Sequence, residues 1–439
     1  MYKEVSQQLM SFIQQSPTAF HAVDTMKKML NEAGYQELSE SQKWSMTKGG
    51  KYYVTRNQSS LIAFHIGEKL DHYNFQIVAS HSDSPTFKLK EKAEMEVQNH
   101  YLMLNTEGYG GMICSSWFDR PLSIAGRVMI KQNNTYQTRL LSFDRDLVLI
   151  PHLAIHMNRT VNEGYAYNKQ IDMLPLFAGK QGQIGDLKKM IAKELQVDEE
   201  AIYGSDLYLY NRTAPSLWGA HEEFISAPRL DDLQCAYTSL QGFLQGSHPQ
   251  SIQVFACFDN EEVGSGTKQG AASTFLYDTL YRIHHLFQDS EDFYRALANS
   301  FMLSGDNAHA VHPHHVEKTD QDNCVYMNQG VVVKSHAGQK YTSDGLSIAV
   351  IKGLCQKANV SLQFFANRSD TVGGSTLGNI AMSQVSMNCV DIGLPQLAMH
   401  SAYETAGVQD SYDMIQLTKA FFNSHIQVLS DGNILIEGD

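Results

Sequence analysis

The strongest constraint on this chain is a change of texture at Arg229. Downstream of it, helical patterns alternate with short β-branched and aromatic runs. In order these are a helix over 231–245, the strand SIQVFACFDN, a helix over 270–287, GVVVKSH, a helix over 344–358, SLQFFAN, CVDIGL and a closing helix. Such alternation specifies an α/β fold with a mostly parallel sheet flanked by helices, because parallel strands need long, usually helical, crossovers. Upstream, two helical patterns within 5–33, divided at Ser16, Pro17 and Thr18 and stopped at Gly34, lead into KYYVTRN, SLIAFHIG and NFQIVAS. Between the two halves, from Thr86 to Leu153, the pattern is almost wholly β, with turn signals such as Asn133 and Asn134. A helix near 184–195 and the strand SDLYLYN follow. The expected organisation is a discontinuous α/β domain of residues 1–90 and 228–439, interrupted by a β-rich domain over 91–227.

Charge and cysteine content narrow the setting. Lys and Arg number 34 against 47 Asp and Glu, a net charge of −13, whereas nucleic acid and anionic membranes select clustered cations. Neither is expected as a partner. Leu147 to Ile155 is broken by Pro151 and His152, and no run approaches 18 apolar residues. The opening MYKEVSQQLMSFIQQS lacks the unbroken apolar stretch of a signal peptide. Six cysteines stand singly, without a CxxC pair, which fits reduced thiols in a cytoplasm.

Residues of metal-ligating type sit at or just past predicted strand ends: His81 and Asp83, Asp231, Glu261 and Glu262, Asp306, and His400. Open α/β sheets bind ligands outside the carboxyl ends of their strands, so these fragments can converge. Taken singly, an acid after a strand is commonly a solvated turn residue or a helix cap. Together, hard oxygen donors with two histidines suit zinc or manganese better than a thiolate site. Glu261 and Glu262, as neighbours in an extended strand, would point opposite ways; if one ligates a metal, the other can serve as general base toward a water. His81 and Asp83 would share one side of an extended segment, as a ligand and its supporting carboxylate do. The aromatic spacing of Phe275, Tyr277, Tyr281 and Phe287 reads as helix core. The tract of His312, His314 and His315 reads as a solvated or partner-facing loop rather than a metal site.

These residues lie in ordered motifs: SPTAFHAV at 16, ASHSDSPTFKLK at 79, YGGMICSSWFDRPLSIAGRV at 109, IPHLAIHMNR at 150, SAPRLDDLQCAY at 226 and FDNEEVGSGTKQGA at 258. SGDNAHAVHP at 304, VVVKSHAGQKY at 331, NRSDTVGGSTLG at 367 and DIGLPQLAMHSAYE at 391 continue the series. Along nearly its whole length the chain resembles the M18 metallopeptidases, the aspartyl aminopeptidase family. The resemblance implies a dinuclear zinc aminopeptidase of cytoplasmic type, with a catalytic α/β domain and an inserted domain used for oligomerisation. It implies Asp231 as the ligand bridging two divalent ions, zinc first and manganese or cobalt as alternatives. Glu262 and His400 would complete one site and His81 and Asp306 the other, with Glu261 as general base and Asp83 supporting His81. It further implies substrate contacts from His156, His309, Lys334 and Tyr341, with Lys334 facing an acidic N-terminal side chain. Because His156 lies in the insertion, the family pattern has it reach a neighbouring subunit's site within a homo-oligomer, a tetrahedral dodecamer.

The chain departs from the family pattern at Asp232, where Asn is commoner, at Asn307 for Met, Gly373 for Cys and Lys340 for Arg. The expected activity is removal of N-terminal residues, preferentially Asp or Glu, from peptides with a free N-terminus. The alternatives are a broad aminopeptidase, a deacylase of N-acyl amino acids using the same two-metal chemistry, and a non-catalytic assembly protein.

Overall fold

Residues 75–81, 252–258 and 301–305 are buried at every position, so both faces of these strands need cover. In the computed structural model, which describes residues 1–70, 73–286 and 290–438, they lie at the centre of a nine-stranded sheet. Its order is Gln36–Leu38, Lys51–Arg56, Ser60–Ile66, Ile252–Phe258, Phe75–His81, Phe301–Gly305, Asn388–Gly393, Val331–Lys334 and Leu362–Phe365. Five pairings are parallel and three antiparallel. The four strands from Ile252–Phe258 to Asn388–Gly393 run side by side in one direction. The α/β fold expected from the alternation is present.

Period-two alternation divides the sheet's side chains between two cores. Val78, Phe255, Cys257, Phe301 and Leu303 enter one; Ile77, Val254, Ala256 and Met302 enter the other. Helices Tyr2–Gln14, Ala19–Glu32, Leu230–Gln245, Gly345–Ala358 and Val408–Asn423 cover the first face, and Phe275–His284, Ser290–Ala298 and Leu377–Met382 the second. The helix expected over 270–287 starts only at Phe275, because residues 270–273 close a turn, with Ser273 N donating to Gly270 O at 3.0 Å. Phe275 is fully buried, whereas Tyr277 and Tyr281 stack on each other at 5.9 Å with Tyr281 partly exposed. Phe287 lies outside the described residues.

A six-stranded antiparallel sheet holds Thr135–Ser142, Leu122–Gln132, Ile202–Asn211, Thr86–Val97, Tyr101–Tyr109 and Leu176–Ala178, in that order. It packs on its own core, which includes Phe87, Leu104, Ile124, Val128 and Leu209. Only residues 82–85 separate its strand Thr86–Val97 from the strand that ends at His81, so the two sheets meet beside that histidine.

Sequence periodicity did not anticipate a five-stranded sheet of Ser216–Trp218, Phe224–Ala227, Glu404–Gly407, Pro395–Leu397 and Ala308–His309. Strands of two to four residues are too short to display a period. This sheet nevertheless sets the positions of Asp231, His309 and His400. Among the described residues no helix is long and apolar enough to cross a membrane, and all six cysteines are free.

Candidate active site

His81 closes a central strand and is 1% exposed. Its Nδ1 donates to the Asp83 carbonyl at 3.1 Å and lies 3.4 Å from Asp83 Oδ1. That bond leaves the Nε2 lone pair facing inward, 3.7 Å from Asp231 Oδ1 and 4.0 Å from Asp306 Oδ2. The Asp83 carboxylate accepts from the Tyr109 hydroxyl at 2.7 Å and from the backbone N–H groups of Glu261 and Glu262 at 3.1 and 3.2 Å. Asp83 thereby ties the histidine strand, the β layer and the glutamate turn together.

Glu261 and Glu262 do not continue a strand, as expected from sequence, but open a 3-10 turn, Glu261–Val263, entered through Asn260 at φ 64°. The turn, rather than a strand's alternation, separates their carboxylates. Glu261 groups with His81 and Asp306, and Glu262 with Asp231 and His400, the candidate ligand atoms of each trio lying within 4.8 Å of one another. Asp231 also groups with His81 and Asp232. His400 Nε2 is 3.3 Å from both Asp231 Oδ2 and Glu262 Oε2.

His400 adopts φ 66°, and Glu404 holds it there. The Glu404 carboxylate accepts from His400 N at 2.7 Å and from Asp231 N at 3.0 Å, and His400 Nδ1 donates to the Gly111 carbonyl at 3.0 Å. Glu404, 1% exposed, was visible in sequence only as the last letter of HSAYE. Asp232 was likewise not singled out as a site residue. It is fully buried and accepts from His81 N at 3.1 Å. Asn307 fits its place by donating to Gln234 Oε1 at 2.8 Å and the Leu394 carbonyl at 3.1 Å.

A cavity of about 160 Å³ opens over these groups, lined also by His309, Lys334 and Tyr341. Lys334 is 3% exposed, donates to Asp306 Oδ1 and the Asn307 carbonyl, each at 3.0 Å, and lies 5.5 Å from the Tyr341 ring centre. His156 is not among the residues lining it; it sits on an exposed loop of the same chain.

The cluster is electrostatically incomplete as a set of side chains. Burial, reinforced by Asp306, Asp83 and Asp231 against the opposing pull of His81, pushes Glu261 up to about 8. Burial and neighbouring acids also push Glu262 and Asp232 well above the usual carboxylate range. Asp231 goes the other way, held low against its burial by His400 and His81. Asp231 Oδ1, Asp232 Oδ1 and Glu262 Oε1 are buried without a hydrogen-bond partner; an unmet buried acceptor costs about 1–3 kcal/mol. Orphaned carboxylate oxygens beside two imidazoles fit a divalent cation, and the imidazole and carboxylate donors suit zinc-type ions.

The profile of the family described as Aminopeptidase I zinc metalloprotease (M18) matches residues 12–422. A probable M18 family aminopeptidase 2 from Clostridium novyi is 48% identical over 427 residues, covering 95% of this chain and 98% of its own. A chain of the Ape4 and Nbr1 complex superposes with a TM-score of 0.93 at 34% identity, covering 96% of this chain and 86% of that one. The S. cerevisiae mApe1 dodecamer shares the fold, with a TM-score of 0.84 at 24% identity and coverage of 96% and 97%. With this family match over a buried cluster of metal-ligating side chains, the chain belongs to the M18 family and is a zinc metalloaminopeptidase.

Proposed function

We propose that the enzyme removes Asp and Glu from the N-termini of peptides with a free α-amine, at a site where two divalent ions would be held with Asp231 as their common ligand. The observation that carries this reading is the membership of Asp231 in two ligand trios, one on the His81 side and one on the Glu262 and His400 side. In this assignment His81 and Asp306 complete one site and Glu262 and His400 the other, with zinc in both and manganese or cobalt as substitutes. Bound ions supply acidity to a water and polarise the scissile carbonyl. Glu261 takes the proton from the attacking water and returns it to the leaving amine. Asp83 orients His81 through its carbonyl and carboxylate and sets the Glu261 backbone by the bond at 3.1 Å.

Preference for an acidic residue rests on Lys334. Its ammonium has three donors, two of them used on Asp306 and Asn307, so one remains for a substrate carboxylate. A buried donor pairs with Asp or Glu and is left unmet by Leu. His309 and Tyr341 line the same cavity and would hold the rest of the residue.

His156 can serve only across a subunit boundary, and its loop is dressed for one. Leu153, Ile155, Met157 and Ile171 are 57, 47, 76 and 74% exposed, more apolar surface than an isolated loop gains from. The reading is a homo-oligomer, a dodecamer as in mApe1, with the β-rich segment 91–227 as the assembling part and His156 entering a neighbour's cavity.

Three outcomes are expected. Glu261→Gln keeps its metal content and loses about 10²–10⁴-fold in kcat; wild-type turnover refutes the base. On free and N-acetylated aminoacyl arylamides, wild type cleaves free Asp and Glu substrates much faster than free Leu, leaves acetylated ones intact and stops with chelator, and Lys334→Met lowers kcat/KM on Asp and Glu by about 10–100-fold while leaving the slower Leu reaction unchanged. Equal losses on both classes refute the pocket, and cleavage of acetylated substrates refutes the free-amine requirement. In light scattering the protein runs as a dodecamer and Met157→Glu as smaller species; a monomeric wild type refutes the assembly.

A further inference from the structure

The cavity over the metal ligands does not end at His309. His309, Phe365, Gly374 and Met399 line both it and a second, more open groove of about 330 Å³. Two independent features of that groove call for a ligand.

The first is a set of buried polar groups with nothing to bond. Gln396 lines the groove, is 1% exposed, and neither its Oε1 nor its Nε2 has a hydrogen-bond partner. Its backbone is committed, since its carbonyl accepts from Ala310 N at 2.9 Å; the carboxamide is not. Asn367 Nδ2 lines the same groove and is also buried and unbonded. A buried polar group left unbonded is destabilising until a partner arrives. Gly373 leaves the Asn367 amide its room, because a Cβ there would lie 2.5 Å from Asn367 Nδ2.

The second feature is charge. In a chain of net charge −13, no carboxylate lines this groove among the described residues, while His312, His315, Lys318 and Arg368 do. Arg368 is occupied by the Asp370 carboxylate and the Glu317 carbonyl, and His315 lies 3.4 Å from Glu317. Lys318 is exposed and is the cation most open to an incoming anion.

The two features describe a peptide with a carboxylate. A carboxamide offers one acceptor and two donors, which match the N–H and C=O of a peptide unit. An aminopeptidase that cuts after one residue has only that residue on the N-terminal side of the bond, so only the leaving peptide can run on past the cavity. We propose that this groove is the binding subsite for the leaving peptide. Gln396 accepts from and donates to one main-chain amide, Asn367 donates to a further carbonyl, and Lys318 with His312 receives a carboxylate. That carboxylate is a downstream acidic side chain or the C-terminus of a short peptide. The proposal rests on the aminopeptidase reading and adds to it a preference on the far side of the scissile bond.

The test compares Asp-arylamide, which carries no downstream residues, with Asp-Ala-Glu-Ala-amide, Asp-Ala-Lys-Ala-amide, and Asp-Ala-Ala-Ala with free or amidated C-terminus. Gln396→Leu should raise KM about tenfold or more on all the peptides, the worth of one buried hydrogen bond, and leave the arylamide within about twofold. Lys318→Glu, at an exposed position that does not endanger folding, should abolish or reverse a wild-type preference for Glu over Lys downstream. A side-chain source shows as loss of Glu over Lys selectivity, and a terminal source as loss of free-acid over amide selectivity. Equal changes on arylamide and peptides, or unchanged peptide selectivity in Lys318→Glu, overturn the subsite. Absence of arylamide cleavage by the metal-loaded wild type overturns the aminopeptidase reading itself, a separate outcome.

Discussion

A group of buried carboxylates cannot share one small volume without positive charge between them, and the active-site end of this molecule is organised around that fact. Asp231, Asp232, Glu261, Glu262 and Asp306 converge on His81 and His400, with the Lys334 ammonium reaching in. Three of the buried carboxylate oxygens have no donor at all, and Glu261, Glu262 and Asp232 are pushed toward their neutral forms. Cations relieve both the repulsion and the unmet acceptors.

Such a cluster would push itself apart if its members were held only by each other. The restraint comes from outside it. Glu404 accepts from the backbones of Asp231 and His400, while Asp83 accepts from Glu261, Glu262 and Tyr109. Each carboxylate fixes backbone rather than competing for the ligand space. Tyr109 reaches in from the six-stranded sheet, so that sheet contributes directly to the geometry beside Asp83. Gly111, in the segment following that strand, fixes the His400 tautomer.

The α/β core was legible because its signal is periodic: strands such as Ile252–Phe258 bury both faces and read as continuous apolar runs. Each of the five candidate ligands was visible by residue type at a strand end, and the structure brings all five into one cluster with Glu261. What sequence hid is local. Gln396 and Glu404 belong to strands too short for a period, and nothing in the neighbours of Gln396 marks its side chain as unpaired. The divergence of Glu261 and Glu262 was expected for the wrong reason, since a 3-10 turn, not a strand, produces it. Lys334 was expected only to face an acidic substrate side chain, and the fold adds that Asp306 already pairs with it.

The proposed role of Asp231 as a ligand common to two metal ions carries the rest of the proposed mechanism. The most direct measurement is metal stoichiometry per chain, by elemental analysis of protein purified without chelator and equilibrated with zinc, for wild type and Asp231→Ala. Two ions in the wild type and at most one in the variant is the expected result. A wild type that saturates at one ion, or a variant that keeps two, would contradict the bridge.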